Sequence, residues 1–155
     1  MTYAIETREL VPQPALAVRM TLPVGSISTT MGPLFGEIYA YVARKGLQPA
    51  GPPYARYHSF DPENVDMECG APLTAPAEGE GRIAPVELPG GPAVCTWHIG
   101  PYEGLSEAYE ALMGWVRDNG REAAGGMWEV YYSDPIAEPD PAKWRTEIFV
   151  PLAGC

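Results

Sequence analysis

Glu147 and Phe149 alternate along the last extended segment of the chain, and Glu129 and Tyr131 along the segment before it. A carboxylate set beside aromatic rings can do two things. It can hold an organic cation whose rings stack on the aromatics. Partly desolvated, it can also take a proton from water as a general base near neutral pH. Glu147 is the candidate base, and Tyr131 the candidate to hold a leaving or carbonyl oxygen. Trp97, Phe149, Glu129, Tyr102, Tyr57 and Glu68 are candidate ligand contacts. Other chemistries lack their residues. The two histidines, His58 and His98, belong to no serine or cysteine nucleophile motif and do not cluster as metal ligands. The three cysteines, Cys69, Cys95 and Cys155, include no CxxC pair. Gly79-Glu80-Gly81 lies in a linker, not between a strand and a helix, so it does not read as a phosphate cradle. The expectation is a site with neither metal nor cofactor.

Each candidate has a plainer reading. Glu147 is a solvated strand residue on burial statistics alone, and Glu68 is an inherited copy of it. Trp97 is core filling, and His98 is a satisfied structural histidine. Tyr57 and Tyr131 are packed tyrosines with bonded hydroxyls. Tyr102, after Gly100-Pro101, either rims a cleft or closes the turn.

The elements that must position these residues occur twice. Glu9-Leu10 with Pro14-Ala15 recurs as Glu87-Leu88 with Pro92-Ala93. Gly46 and Tyr57 recur as Gly120 and Tyr131, and Glu68 to Leu73 recurs as Glu147 to Leu152. The offset stays near 74 to 79 residues, the mark of one supersecondary unit used twice. Each copy reads as extended segment, strand, helix, strand, strand. In the first, Tyr3–Leu10 and Ala15–Leu22 alternate as strands. A helix runs from Ser26 or Ser28 to about Lys45, stopped by Gly46, and Tyr54–Phe60 and Val65–Ala71 follow. In the second, Arg82–Leu88 and Ala93–Ile99 precede a helix from Ser106 to Asn119, stopped by Gly120. Trp128–Ser133 and Trp144–Val150 close it, around a proline-rich loop at 134–143. The Pro72–Gly81 stretch reads as the linker between copies. Period-two alternation then puts Trp97, Tyr131, Phe149, Glu129 and Glu147 on a face turned away from the helices, with Arg19, Tyr57 and Glu68 from the other copy.

Composition bounds the partners. The net charge of −10 argues against contacts with a phosphate backbone, so no nucleic-acid partner is expected. Hydrophobic residues make up 46% of the chain, enough for a packed core. No apolar run reaches membrane-spanning length and the N-terminus lacks a basic-then-apolar signal, so a soluble, cytoplasmic protein is expected, with no membrane partner.

The run His98-Ile99-Gly100-Pro101-Tyr102, an amphipathic helix, Glu129-Val130-Tyr131, Asp134-Pro135, and Thr146-Glu147-Ile148 with Pro151 resembles the GyrI-like small-molecule-binding domain. The resemblance implies an α+β fold of duplicated β-α-β-β repeats with pseudo-two-fold symmetry and a central ligand cleft. It implies one domain over 1–155, with repeats of about 1–76 and 82–155. It further implies that a glutamate of the last strand, here Glu147, meets cationic aromatic compounds in that cleft. Regulators of the family carry a helix-turn-helix before the domain, and with a first strand near Tyr3 none is expected here. Gly70 and Ala71 replace bulkier strand residues, and His58 stands where the second copy has Tyr132.

The expected function is therefore polyspecific recognition of lipophilic, aromatic or electrophilic small molecules. Hydrolytic ring-opening of cyclopropane-type electrophiles is the associated activity: it needs no cofactor, because ring strain already makes such a substrate reactive. The alternatives are a non-catalytic drug-binding or sequestering module and a protein-interaction factor such as a gyrase modulator.

Overall fold

The protein is described by a computed structural model over residues 3–101, 104–132 and 138–153. In chain order the strands are β1 (Glu6–Leu10), β2 (Gln13–Pro23), β3 (Tyr54–Phe60), β4 (Asn64–Pro72), β5 (Ala84–Leu88), β6 (Gly91–Ile99), β7 (Met127–Tyr131) and β8 (Arg145–Pro151). The helices are α1 (Ile27–Arg44), between β2 and β3, and α2 (Leu105–Asp118), between β6 and β7. The chain forms two compact units. Pro12–Pro89 makes a contiguous unit, and Met1–Val11 with Gly90–Cys155 makes a split unit.

In the contiguous unit the antiparallel strand order is β3-β4-β2-β5. In the split unit it is β1-β6-β8-β7, again antiparallel. The fold is α+β and the β-α-β-β repeat is plain in the element order. One detail departs from the sequence reading. The opening strand of each copy pairs in the other copy's unit: β1 lies on β6, and β5 lies on β2. The chain therefore passes between units at Val11-Pro12 and Pro89-Gly90, while Pro72–Gly81 lies between the last strand of one copy and the first strand of the next. That stretch is tied to its own unit. The Tyr41 hydroxyl donates to the Glu78 carbonyl at 2.8 Å, and Arg44 pairs with Glu80.

Both helices end by the same device. Gly46 and Gly120 take φ of +66° and +64°, a region open to glycine at little cost. In each, the glycine N–H and the next N–H turn back onto carbonyls of the last turn: Gly46 to Ala43 and Leu47 to Val42, Gly120 to Arg117 and Arg121 to Val116. This double bond pattern is a Schellman stop. The N-termini are less regular than expected, since neither Ser26 nor Gly104 caps its helix with a side chain.

The core of the split unit joins Ala108, Leu112 and Val116 of α2 to Val94, Ile148 and Val150 of the strands. Leu112 is fully buried, and such a leucine contributes roughly 1.5–3 kcal/mol relative to an exposed one. His98 belongs to the same scaffold. Its Nε2 donates to the Pro101 carbonyl at 2.8 Å, which leaves Nδ1 to accept from Tyr3 at 3.0 Å. Among the described residues, no helix is long and apolar enough to cross a membrane.

Candidate functional site

Strand register decides which side chains meet. Trp97 of β6 lies opposite Glu147 of β8, and Cys95 lies opposite Phe149. On the other side of β8, Val130 lies opposite Glu147 and Trp128 opposite Phe149. These residues share one face. The opposite face carries Val94, Ile148 and Val150, which pack against α2. On β1, Glu6 and Arg8 pair with Cys95 and Ala93, which puts both on the Glu147 face.

Glu147 is the centre of that face and only 3% exposed. Tyr132 donates to its Oε1 across a long 3.3 Å. Burial and the neighbouring Glu147 charge both raise the Tyr132 pKa, so its hydroxyl stays protonated and able to donate. Arg8 Nη1 stands 2.9 Å from Oε2. Beyond this ion pair, the buried oxygen has no further hydrogen-bond partner among the described residues. Aromatic rings surround the carboxylate. Trp97 and Tyr132 meet at 4.8 Å between centroids, and Trp128 and Phe149 stack at 5.5 Å. Trp97 and Tyr132 remain 38% and 42% exposed, so the two rings present open surface beside a buried charge.

Two candidates lie on the other face. Glu129 is opposite Ile148 and Tyr131 opposite Thr146, both on the α2 side. The Tyr131 hydroxyl donates to Glu129 at 2.6 Å, and Tyr109 of α2 donates to the second Glu129 oxygen. The expectation that Glu129 and Tyr131 join Glu147 is thus corrected. The alternation along the strand holds, but the pairing of β7 with β8 inverts the faces, and Tyr132 takes the place assigned to Tyr131. Tyr57 is corrected in the same way. It pairs with Met67, on the face opposite to Glu68. Tyr102 lies outside the described residues.

Glu68 occupies the position in the contiguous unit that Glu147 holds in the split unit, and its surroundings differ. Tyr54 donates to one oxygen at 2.5 Å, and His58 meets the other at 2.9 Å. His58 follows Tyr54 and Arg56 on the face of this carboxylate by ordinary alternation, Arg56 lying opposite Glu68. Both oxygens of Glu68 are therefore occupied by the protein. Gly70 stands where the other copy has Phe149, and the Tyr54 ring fills the space it leaves. Arg19 is engaged by Asp66 through two contacts of 3.0 and 2.8 Å.

Sequence reasoning missed three participants: Arg8, Trp128 and Tyr132. Trp128 and Tyr132 carried a signal, because they align with Tyr54 and His58, the two groups that meet Glu68. Arg8 carried none, since its partner strand follows about eighty residues later. Among the described residues, no three potential metal ligands are gathered together.

A family model for the GyrI-like small molecule binding domain matches residues 1–153. The chain belongs to the GyrI-like family. Among solved structures it is similar to the C-terminal domain of EcmrR, at 28% identity and a TM-score of 0.87 with all of both chains covered. EcmrR in complex with DNA matches at 28% identity and a TM-score of 0.85, over 99% of this chain and 58% of that one. A hydrolase from Listeria innocua shares the fold at 14% identity, with 96% and 91% covered and a TM-score of 0.70. SAV2435 bound to tetraphenylphosphonium shares it at 10% identity, with 99% and 95% covered and a TM-score of 0.67. No curated protein matches the chain.

These likenesses overturn the expectation of partners without nucleic acid, because a protein matched over nearly the whole chain is solved in a DNA complex. Net charge speaks to a surface's own contacts with phosphates. It does not speak to the complexes in which a domain takes part.

Proposed function

We propose that this small-molecule-binding domain takes lipophilic aromatic ligands on the Glu147 face of the split unit, and that Glu147 selects those carrying a positive charge or a hydrogen-bond donor. One observation carries the reading: the buried carboxylate of Glu147, met at Oε2 by the partly exposed Arg8, lies beside the open rings of Trp97 and Tyr132. A buried carboxylate favours a partner that brings positive charge or a hydrogen-bond donor, so a ligand that carries one gains at this site. The aromatic rings add stacking and cation–π attraction. A relative of the same fold bound to tetraphenylphosphonium supports the ligand class.

The test is calorimetric titration of wild type and Glu147→Gln with tetraphenylphosphonium and with neutral triphenylphosphine oxide. The substitution is expected to weaken the cation by about 1–3 kcal/mol, as for a charge-assisted contact, and the neutral compound far less. Equal losses for both remove Glu147 from charge recognition.

The Tyr132–Glu147 hydrogen bond supports a second reading, hydrolytic opening of a strained cyclopropane electrophile. Water would attack a ring carbon while Glu147 takes its proton. The ring C–C bond would break, its electron pair moving into a conjugated carbonyl held by the Tyr132 hydroxyl. The proton would then return to the resulting enolate carbon. Product analysis in ¹⁸O-labelled water with wild type, Glu147→Gln and Tyr132→Phe separates turnover from binding. Unlabelled, unchanged substrate in wild type leaves the binding reading alone.

A further inference from the structure

Arg8 already stands where a lipophilic cation would have to stand. Its Nη1 is 2.9 Å from Glu147 Oε2, and its guanidinium carbon lies 5.8 Å from the centroid of the Phe149 ring. It thus meets one carboxylate and one aromatic face, the two features that the site offers to an organic cation. Arg8 also has somewhere else to go. Glu6, two residues earlier on the same strand face, is 63% exposed at its side chain and holds Arg8 Nη2 at 3.1 Å. The Arg8 side chain is itself 38% exposed and sits on β1, the edge strand of the unit. The other copy has Val86 at the corresponding position, and Glu68 there is held by Tyr54 and His58 instead.

We propose that Arg8 is a resident counter-cation that sets the charge selectivity of this site, giving up Glu147 and closing wholly onto Glu6 when a cationic ligand arrives. The inference rests on the ligand-binding reading of the Glu147 face. With Arg8 in place the carboxylate is compensated, and the protein avoids an isolated buried charge. A cation must therefore displace Arg8, so its affinity is held below what the carboxylate and rings could give. A neutral aromatic ligand does not compete for the carboxylate and is indifferent to the exchange. Glu6 sets the ease of displacement by receiving the displaced guanidinium.

The experiment is titration of the full chain with tetraphenylphosphonium and triphenylphosphine oxide in wild type, Arg8→Met, Arg8→Gln, Glu6→Gln and Glu147→Gln, each also followed by thermal unfolding with and without ligand. Arg8→Met and Arg8→Gln are expected to bind the cation about tenfold or more tighter than wild type, while the neutral compound stays within about threefold. This is the size of one lost competing ion pair at a partly buried site. The cation should raise the unfolding temperature of both Arg8 variants more than that of wild type, even if they start less stable. Glu6→Gln should weaken the cation. Unchanged or weaker cation binding in both Arg8 variants overturns the role of Arg8, while a selective cation loss in Glu147→Gln shows that the site reading still stands. If Glu147→Gln changes neither ligand, the site reading fails, and this inference with it.

Discussion

The Tyr54 hydroxyl reaches Glu68 at 2.5 Å by lying across Gly70, so closely that a Cβ on that glycine would come within 2.6 Å of the hydroxyl oxygen and 2.7 Å of two ring carbons. The equivalent positions in the other copy are Trp128, Glu147 and Phe149, and there the two rings stack on each other. Glycine in place of phenylalanine thus makes room for the Tyr54 ring that closes Glu68, whereas Glu147 is met by Tyr132 and Arg8.

Gly70→Ala is expected to destabilise the chain by about 1–3 kcal/mol, the usual cost of forcing a methyl group into filled space. The fault lies with Tyr54 and not with backbone strain, so the same substitution should cost less in a Tyr54→Leu background. Denaturant unfolding of the two single variants and the double variant measures this coupling. Additive losses would show that Tyr54 does not occupy the Gly70 space in solution.

Both buried thiols should be unreactive. Burial pushes Cys69 up to about 12 and Cys95 up to about 11, the latter despite the opposing pull of Arg8. At pH 8 the thiolate fraction is then roughly 10⁻⁴ and 10⁻³. Alkylation of either residue in the native protein should be slow, and at Cys95 should rise about tenfold per pH unit until the pH nears the thiol pKa. Peptide mapping after iodoacetamide treatment reads both sites. Fast labelling of native Cys95 at pH 8 would reinstate a thiol nucleophile beside Glu147.

The helices and their stops were legible because Gly46 and Gly120 end apolar stripes of helical period. The inward strand faces were legible wherever a helix residue had to land on them, as with Leu112 on Ile148. The faces of β7 were not. Alternation says that Glu129 and Tyr131 point one way and Val130 and Tyr132 the other, but only pairing with β8 says which way that is. Hydrophobicity misleads at this point, since a buried glutamate with two tyrosine donors sits on the α2 side. The faces of β3 have the same character: only pairing with β4 says that Arg56 and His58, and not Tyr57, share the Glu68 face. Arg8 was out of reach because the exchange of β1 and β5 between units is set by long-range pairing.

Three of the four tryptophans report which face of the split unit meets the ligand. Trp97 and Trp128 lie on the Glu147 face, while Trp115 packs against the α2 core on the other side. The decisive measurement is a ¹⁵N–¹H correlation titration of the indole N–H groups with tetraphenylphosphonium, each peak assigned by single Trp→Phe substitution. The peaks of Trp97 and Trp128 should move progressively and saturate together, with Trp115 unmoved. A saturating shift of Trp115 with Trp97 and Trp128 still would contradict the assignment of the site to Glu147.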